Sequence, residues 1–239
     1  MGSIWYIRIG DQARIRHMRV LGINGSPKGT KSQTFRLVNA CLKGARMAGA
    51  EIEFVDLCKL NIRYCIACRE CFLRGKCVQE DDFAKLLERM RRSDGLIWGS
   101  PVYIDAVTGQ MKTLLDRMAE SIHCQHFLGK YGCAVSTSGT SGEKEVVTYL
   151  NNTFLKLGGN VVGSAYAALG SGPDAILIGE NRAHALGKAL GEAIKKKREY
   201  PDQEAYHVSF RTRFKHVIQS HQKEWAYDYQ VWKEAGWLD

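Results

Sequence analysis

A chain of 239 residues, 45% hydrophobic and 25% charged, has the size and balance for one well-packed core with an appended element. No apolar run approaches the roughly 20 residues of a membrane-spanning helix. Eight cysteines with no export signal point to a reducing compartment, the cytoplasm, rather than to a disulfide framework. The formal charge of +9 comes with no nucleic-acid motif, so neither nucleic acid nor membrane is expected as a partner.

Residues 1–18 are set apart as an N-terminal arm or non-native leader, because Ile4-Trp5-Tyr6-Ile7 is too short for a secretory core. The aliphatic run Arg19–Gly25 then reads as a first strand, and the stripe of Phe35, Leu37, Val38, Cys41 and Leu42 as a helix over 33–48. Glu51–Leu57 alternates as a second strand, and a cysteine loop occupies 58–79. A helix from Asp81 to Arg91, a third strand at 95–99 and a helix over 109–121 follow. A fourth strand covers 131–136, then come a Gly/Ser/Thr loop at 137–142, a helix at 143–157, a fifth strand at 160–168 and a helix at 181–197 whose last turn carries Lys195-Lys196-Lys197-Arg198.

Strands alternating with helices of 10–15 residues imply an α/β fold with a parallel sheet covered on both faces. Ligand-type loops after strands one, three and four suit the flavodoxin-like, doubly wound, five-stranded order 2-1-3-4-5, which binds ligands beyond the carboxyl ends of the strands. Residues 19–198 form that domain. Residues 199–239, rich in spaced aromatics such as Phe210, Phe214, Trp225, Tyr229 and Trp232, are expected to add one or two helices packed on the body or on a partner subunit.

Three loops carry a consistent chemistry. In Gly25-Ser26-Pro27-Lys28-Gly29-Thr30-Lys31-Ser32-Gln33-Thr34 a strand runs into a helix whose first N–H groups face an anion. The hydroxyls of Ser26, Ser32 and Thr34, the charge of Lys28 and the amide of Gln33 complete a phosphate cradle. Pro101, Val102, Tyr103 and Ile104 could lie against a flat heterocycle, with Tyr103 nearest to it. Ser138, Gly139 and Gly142 give a third contact at close backbone range.

Cys65, Cys68, Cys71 and Cys77 form the fourth feature. The first three, two residues apart, repeat the opening of the bacterial ferredoxin run. Structural zinc prefers two separated pairs, which this loop lacks; a metal-free thiol set is the third alternative. Arg69, Arg74 and Lys76 stand near enough in sequence to offset thiolate charge. Cys41, Cys58, Cys124 and Cys133 read as buried small hydrophobes, His123 and His126 as unremarkable loop histidines, and His207, His216 and His221 as surface or interface residues.

Together, Gly25-Ser26-Pro27-Lys28, Ser32-Gln33-Thr34, Ser100-Pro101-Val102-Tyr103, Gly109-Gln110-Met111-Lys112 and Leu115-Asp116-Arg117 resemble the NADPH-dependent FMN reductase group. With the cysteine motif after strand two, the chain looks more narrowly like the iron–sulfur flavoproteins. That resemblance implies FMN, a [4Fe–4S] cluster on the four cysteines, and a homodimer or homotetramer. It also implies an oxidoreductase fed by ferredoxin or NAD(P)H and reducing a small acceptor such as a quinone, oxygen or peroxide. The alternative is an NAD(P)H-dependent FMN or quinone reductase without a functional cluster.

Overall fold

A computed structural model describes residues 17–238, so most of the expected leader lies outside the described residues. The chain runs β1 (Arg19–Asn24), α1 (Gln33–Met47), β2 (Glu51–Asp56), α2 (Glu70–Arg74), α3 (Phe83–Arg92), β3 (Gly95–Pro101) and α4 (Gly109–Asp116). It continues α5 (Ala119–His123), β4 (Tyr131–Ser138), α6 (Glu143–Lys156), β5 (Asn160–Ala168), α7 (Ala175–Lys195), α8 (Pro201–Ser220) and α9 (Ala226–Glu234).

The five strands pair in parallel in the order β2-β1-β3-β4-β5. Side chains alternate between faces along each strand, so adjacent residues feed two cores. Leu21, Ile23, Leu96 and Trp98 meet Leu86 and Met90 of α3, Met111 and Leu114 of α4, and Leu150 and Phe154 of α6. Val20, Ile97 and Val135 meet Leu37, Val38 and Cys41 of α1 and Leu190 of α7. Helices α1 and α7 touch backbone to backbone: a Cβ on Gly187 would lie 1.8 Å from the Cys41 carbonyl oxygen, and one on Gly44 2.0 Å from that of His184. Only glycine fits at this crossing.

Four expectations need correction. The single helix expected over 109–121 breaks at Arg117 and Met118, where the Arg117 side chain turns into the protein toward Asp81. Helix α7 starts at Ala175, six residues before the expected 181, directly after Asp174, which stands at the N-cap although its side chain makes no capping hydrogen bond. The fourth strand extends through Thr137 and Ser138, whose side chains are buried. Among the histidines and cysteines, His207 is fully buried and Cys58 is exposed, the reverse of their expected placements.

The C-terminal helices fold back on the same chain. Trp232 is completely buried and donates its indole N–H to the His123 carbonyl at 2.9 Å. Among the described residues, no helix is long and apolar enough to cross a membrane.

Candidate functional site

The three loops expected to share a ligand meet at the carboxyl edge of the sheet, tied by backbone and buried hydroxyls. Gly25 donates its N–H to the Gly99 carbonyl at 2.7 Å, and Val102 donates to the Thr137 carbonyl at 2.8 Å. Thr108, the N-cap of α4, donates its hydroxyl to the Gly25 carbonyl at 2.6 Å. Thr34 and Thr137 join their hydroxyls at 2.6 Å.

Within the first loop the side chains divide into two groups. Ser26 is buried and its Oγ accepts from the Lys28 N–H at 3.3 Å, holding the turn. Ser32 caps α1, accepting from the Phe35 N–H and donating to the Gly29 carbonyl. Thr34 points to β4. Lys28 and Gln33 remain exposed, and the N–H groups of Gln33 and Thr34 lie in the first turn, where a helix offers no internal acceptor. The cradle therefore presents backbone N–H groups, Lys28 and Gln33 outward, while Ser32 and Thr34 build its frame.

Asn24 was not flagged in the sequence. Fully buried at the end of β1, it donates to the Gly29 carbonyl and to Asp56, and accepts from the Ser26 N–H. A polar residue closing an aliphatic strand just before Gly-Ser-Pro was the available signal.

In the second loop, Tyr103 and Ala106 exchange backbone hydrogen bonds across a tight turn. Its central residues, Ile104 and Asp105, have φ of 49° and 57°. A β-branched residue in this region costs on the order of 1–3 kcal/mol, a strain that clusters at functional sites. Ile104 is 96% exposed. In the third loop Ser138 donates to Glu143 at 2.7 Å, and Gly142, with φ of 90°, lies against Val102.

The cysteine loop is a second group of candidate residues. Its neck is clasped by Gln79 donating to the Tyr64 carbonyl and by Arg63 donating its N–H to Asp81. Inside, Cys65, Cys68, Cys71 and Cys77 line one cavity of about 230 Å³ together with Phe72 and Arg117. Ala67 and Arg69 have φ of 53° and 62°.

Among the described residues, no three of the four loop sulfurs lie within 4.8 Å of one another. Among the described residues, the group with three donor atoms within 4.8 Å of one another is Glu120, Cys124 and His126. Those atoms already have partners: Glu120 pairs with Arg91 and His126, and Cys124 donates to Asp228. Burial, with Glu120, Asp228 and Cys77 adding to it, pushes the Cys71 thiol up to about 12.

The supports of the loop come from distant sequence. Arg117 donates to Cys77 Sγ at 3.1 Å and to Asp81 at 2.7 Å, with its guanidinium 4.6 Å from the Phe83 ring centre. Phe72 packs on His123 at 4.3 Å and on Trp225 at 5.1 Å. His123 is held by the buried Asp228 of α9 at 2.8 Å. It is a keystone, not the loop residue its sequence context suggested. Of the expected counter-charges, Arg69 lines the same cavity, while Arg74 pairs with Glu70.

The model for the NADPH-dependent FMN reductase family matches residues 18–174. The chain belongs to this family. An iron–sulfur flavoprotein of Archaeoglobus fulgidus is 33% identical over 225 residues, covering 92% of this chain and 100% of that one. Another, from Methanocaldococcus jannaschii, is 34% identical over 190 residues, or 74% and 98% of the two chains. The fold is shared with an NAD(P)H:quinone oxidoreductase of Methanothermobacter marburgensis, at a TM-score of 0.58 and 21% identity over 73% of this chain and 99% of that one. As a member of the FMN reductase family the protein is a flavin-dependent oxidoreductase.

Proposed function

We propose that this protein is an iron–sulfur flavoprotein that moves electrons between a [4Fe–4S] cluster, FMN and a small acceptor such as a quinone, oxygen or peroxide, with ferredoxin or NAD(P)H as donor. The observation that carries this reading is one cavity lined by all four loop cysteines, in a chain that also brings three flavin-type loops together at the sheet edge. When bound, FMN supplies one- and two-electron chemistry and the cluster supplies single-electron transfer.

The residues have distinct tasks in this reading. Lys28, Gln33 and the N–H groups opening α1 hold the phosphate, with Ser26 keeping the turn and Ser32 and Thr34 framing it. Pro101, Val102, Tyr103 and Ile104 line one side of the ring site, and Ser138, Gly139 and Gly142 admit it closely on another. Cys65, Cys68, Cys71 and Cys77 are the cluster ligands. Loading the cluster requires thiolates, so the Cys71 proton must leave as metal binds.

A homodimer or homotetramer accompanies this reading. Ile104, Tyr64 and Ile66 are 96%, 79% and 63% exposed around the two centres, where a second subunit would cover them. The alternative, a quinone reductase with idle cysteines, is separated by a ligand variant. Cys71→Ala is expected to abolish the low-temperature EPR signal of the dithionite-reduced protein while FMN absorbance persists. A wild-type protein with no such signal and full NADPH–quinone turnover contradicts the proposal.

A further inference from the structure

Arg117 connects the two centres through one short helix. Helix α4 is flanked by its N-cap Thr108, whose hydroxyl holds the Gly25 carbonyl of the first loop, and by its C-cap Arg117, which reaches the last loop cysteine. Its eight residues span about 12 Å at 1.5 Å per residue. The Arg117 side chain is 1% exposed, an unusual place for a permanent cation.

Its hydrogen-bond account explains what the cation faces. Nη1 donates to Asp81 and to the Arg63 carbonyl; Nη2 donates to Cys77 Sγ at 3.1 Å and weakly to Asp81. Nε is buried with no acceptor among the described residues. The guanidinium lines the cavity of the four cysteines. Asp81 is held ionised: burial opposes its charge, but donors from Arg117, Arg63 and Phe83 outweigh it and lower its pKa.

We propose that Arg117 is the positioning and potential-setting residue of the metal centre, donating to the Cys77 sulfur and stabilising the reduced cluster with a buried charge that Asp81 partly offsets. This rests on the cluster reading above. One-electron reduction adds one negative charge to the cluster and its thiolates, with no bond broken and no proton required. Hydrogen bonds to sulfur and nearby cations favour that added charge, and both are levers on cluster potential. Asp81 works against it, so the two partners of one ion pair are assigned opposite effects.

The test compares wild type with Arg117→Lys, Arg117→Gln and Asp81→Asn after anaerobic reconstitution. Iron and FMN are measured on each, and the midpoint potential is read by redox titration with EPR of the reduced cluster. The expected order is Arg117→Gln lowest, Arg117→Lys between it and wild type, and Asp81→Asn above wild type. Potentials equal to wild type in both arginine variants overturn the proposal. So does a shift of Asp81→Asn in the same direction as Arg117→Gln, which is the mark of simple loosening. If Arg117→Gln fails to retain iron, the lysine and asparagine variants decide by the same signs. Failure of the cluster reading itself is distinguishable, because wild type would then take up no iron.

Discussion

The flavin-type loops and the cysteine loop are built in different ways. The former sit at the ends of β1, β3 and β4 and are fixed by the sheet itself, through links such as Gly25 to Gly99 and Val102 to Thr137. The latter contains one five-residue helix, and its cysteines are exposed or half-buried. What holds it comes from elsewhere: Arg117 after α4, His123 in α5, Trp225 beside α9. A scaffold can supply a phosphate cradle as a by-product of its topology. A cysteine-lined cavity inserted outside the sheet needs supports recruited from elsewhere in the chain: Arg117 and His123 come from the α/β body and Trp225 from the C-terminal extension.

The largest effect is expected from Trp232→Ala. Removing a fully buried indole should cost about 3–5 kcal/mol of stability, and its lost bond to the His123 carbonyl loosens the face on which Phe72 packs. Iron retention should therefore fall further than FMN retention on the folded fraction, measured by metal and flavin assays after denaturant-monitored purification. Equal losses would mean that the extension supports both centres alike.

Ser26→Ala addresses the other region. Its hydroxyl accepts from the neutral Lys28 N–H and keeps the turn of the proposed cradle; such a bond contributes roughly 0.5–1.5 kcal/mol, so FMN should bind about two- to tenfold more weakly in fluorescence titration, with iron content unchanged. A wild-type affinity would remove Ser26 from the site.

The smallest effect is a pH dependence in the extension. His207 is fully buried, and burial lowers its pKa below the ordinary value, although Glu204 acts in the other direction. The unfolded chain then binds more protons than the folded one below about pH 6.5. Stability from the neutral imidazole is present above that pH and is lost as pH falls toward and through the lowered folded value. Denaturant unfolding at pH 7 and pH 5 should show a smaller loss for His207→Gln than for wild type.

How much of this was legible in the sequence follows the same division. Local patterns were enough for the strand order, the boundaries of β5 and the three loops, because period and turn chemistry are local. Ser32 and Thr34 are expected from the sequence as phosphate donors, yet their side chains serve the frame, since capping and burial use the same hydroxyls as phosphate binding. Arg117 was visible only as part of a Leu-Asp-Arg string, and Asp81 only as a first-turn acid. Their pairing spans 36 residues and has no periodic signature. His123 and His207 were misjudged for the same reason: their burial depends on helices more than 80 residues away or on packing that polarity alone does not reveal.

The central claim is that one chain holds two redox centres. Anaerobic quantification of iron, sulfide and FMN on a single purified, reconstituted sample tests it most directly. About four iron atoms and about four sulfides per chain are expected, together with about one FMN. Stoichiometric FMN with less than one iron, or with zinc in its place, would contradict it.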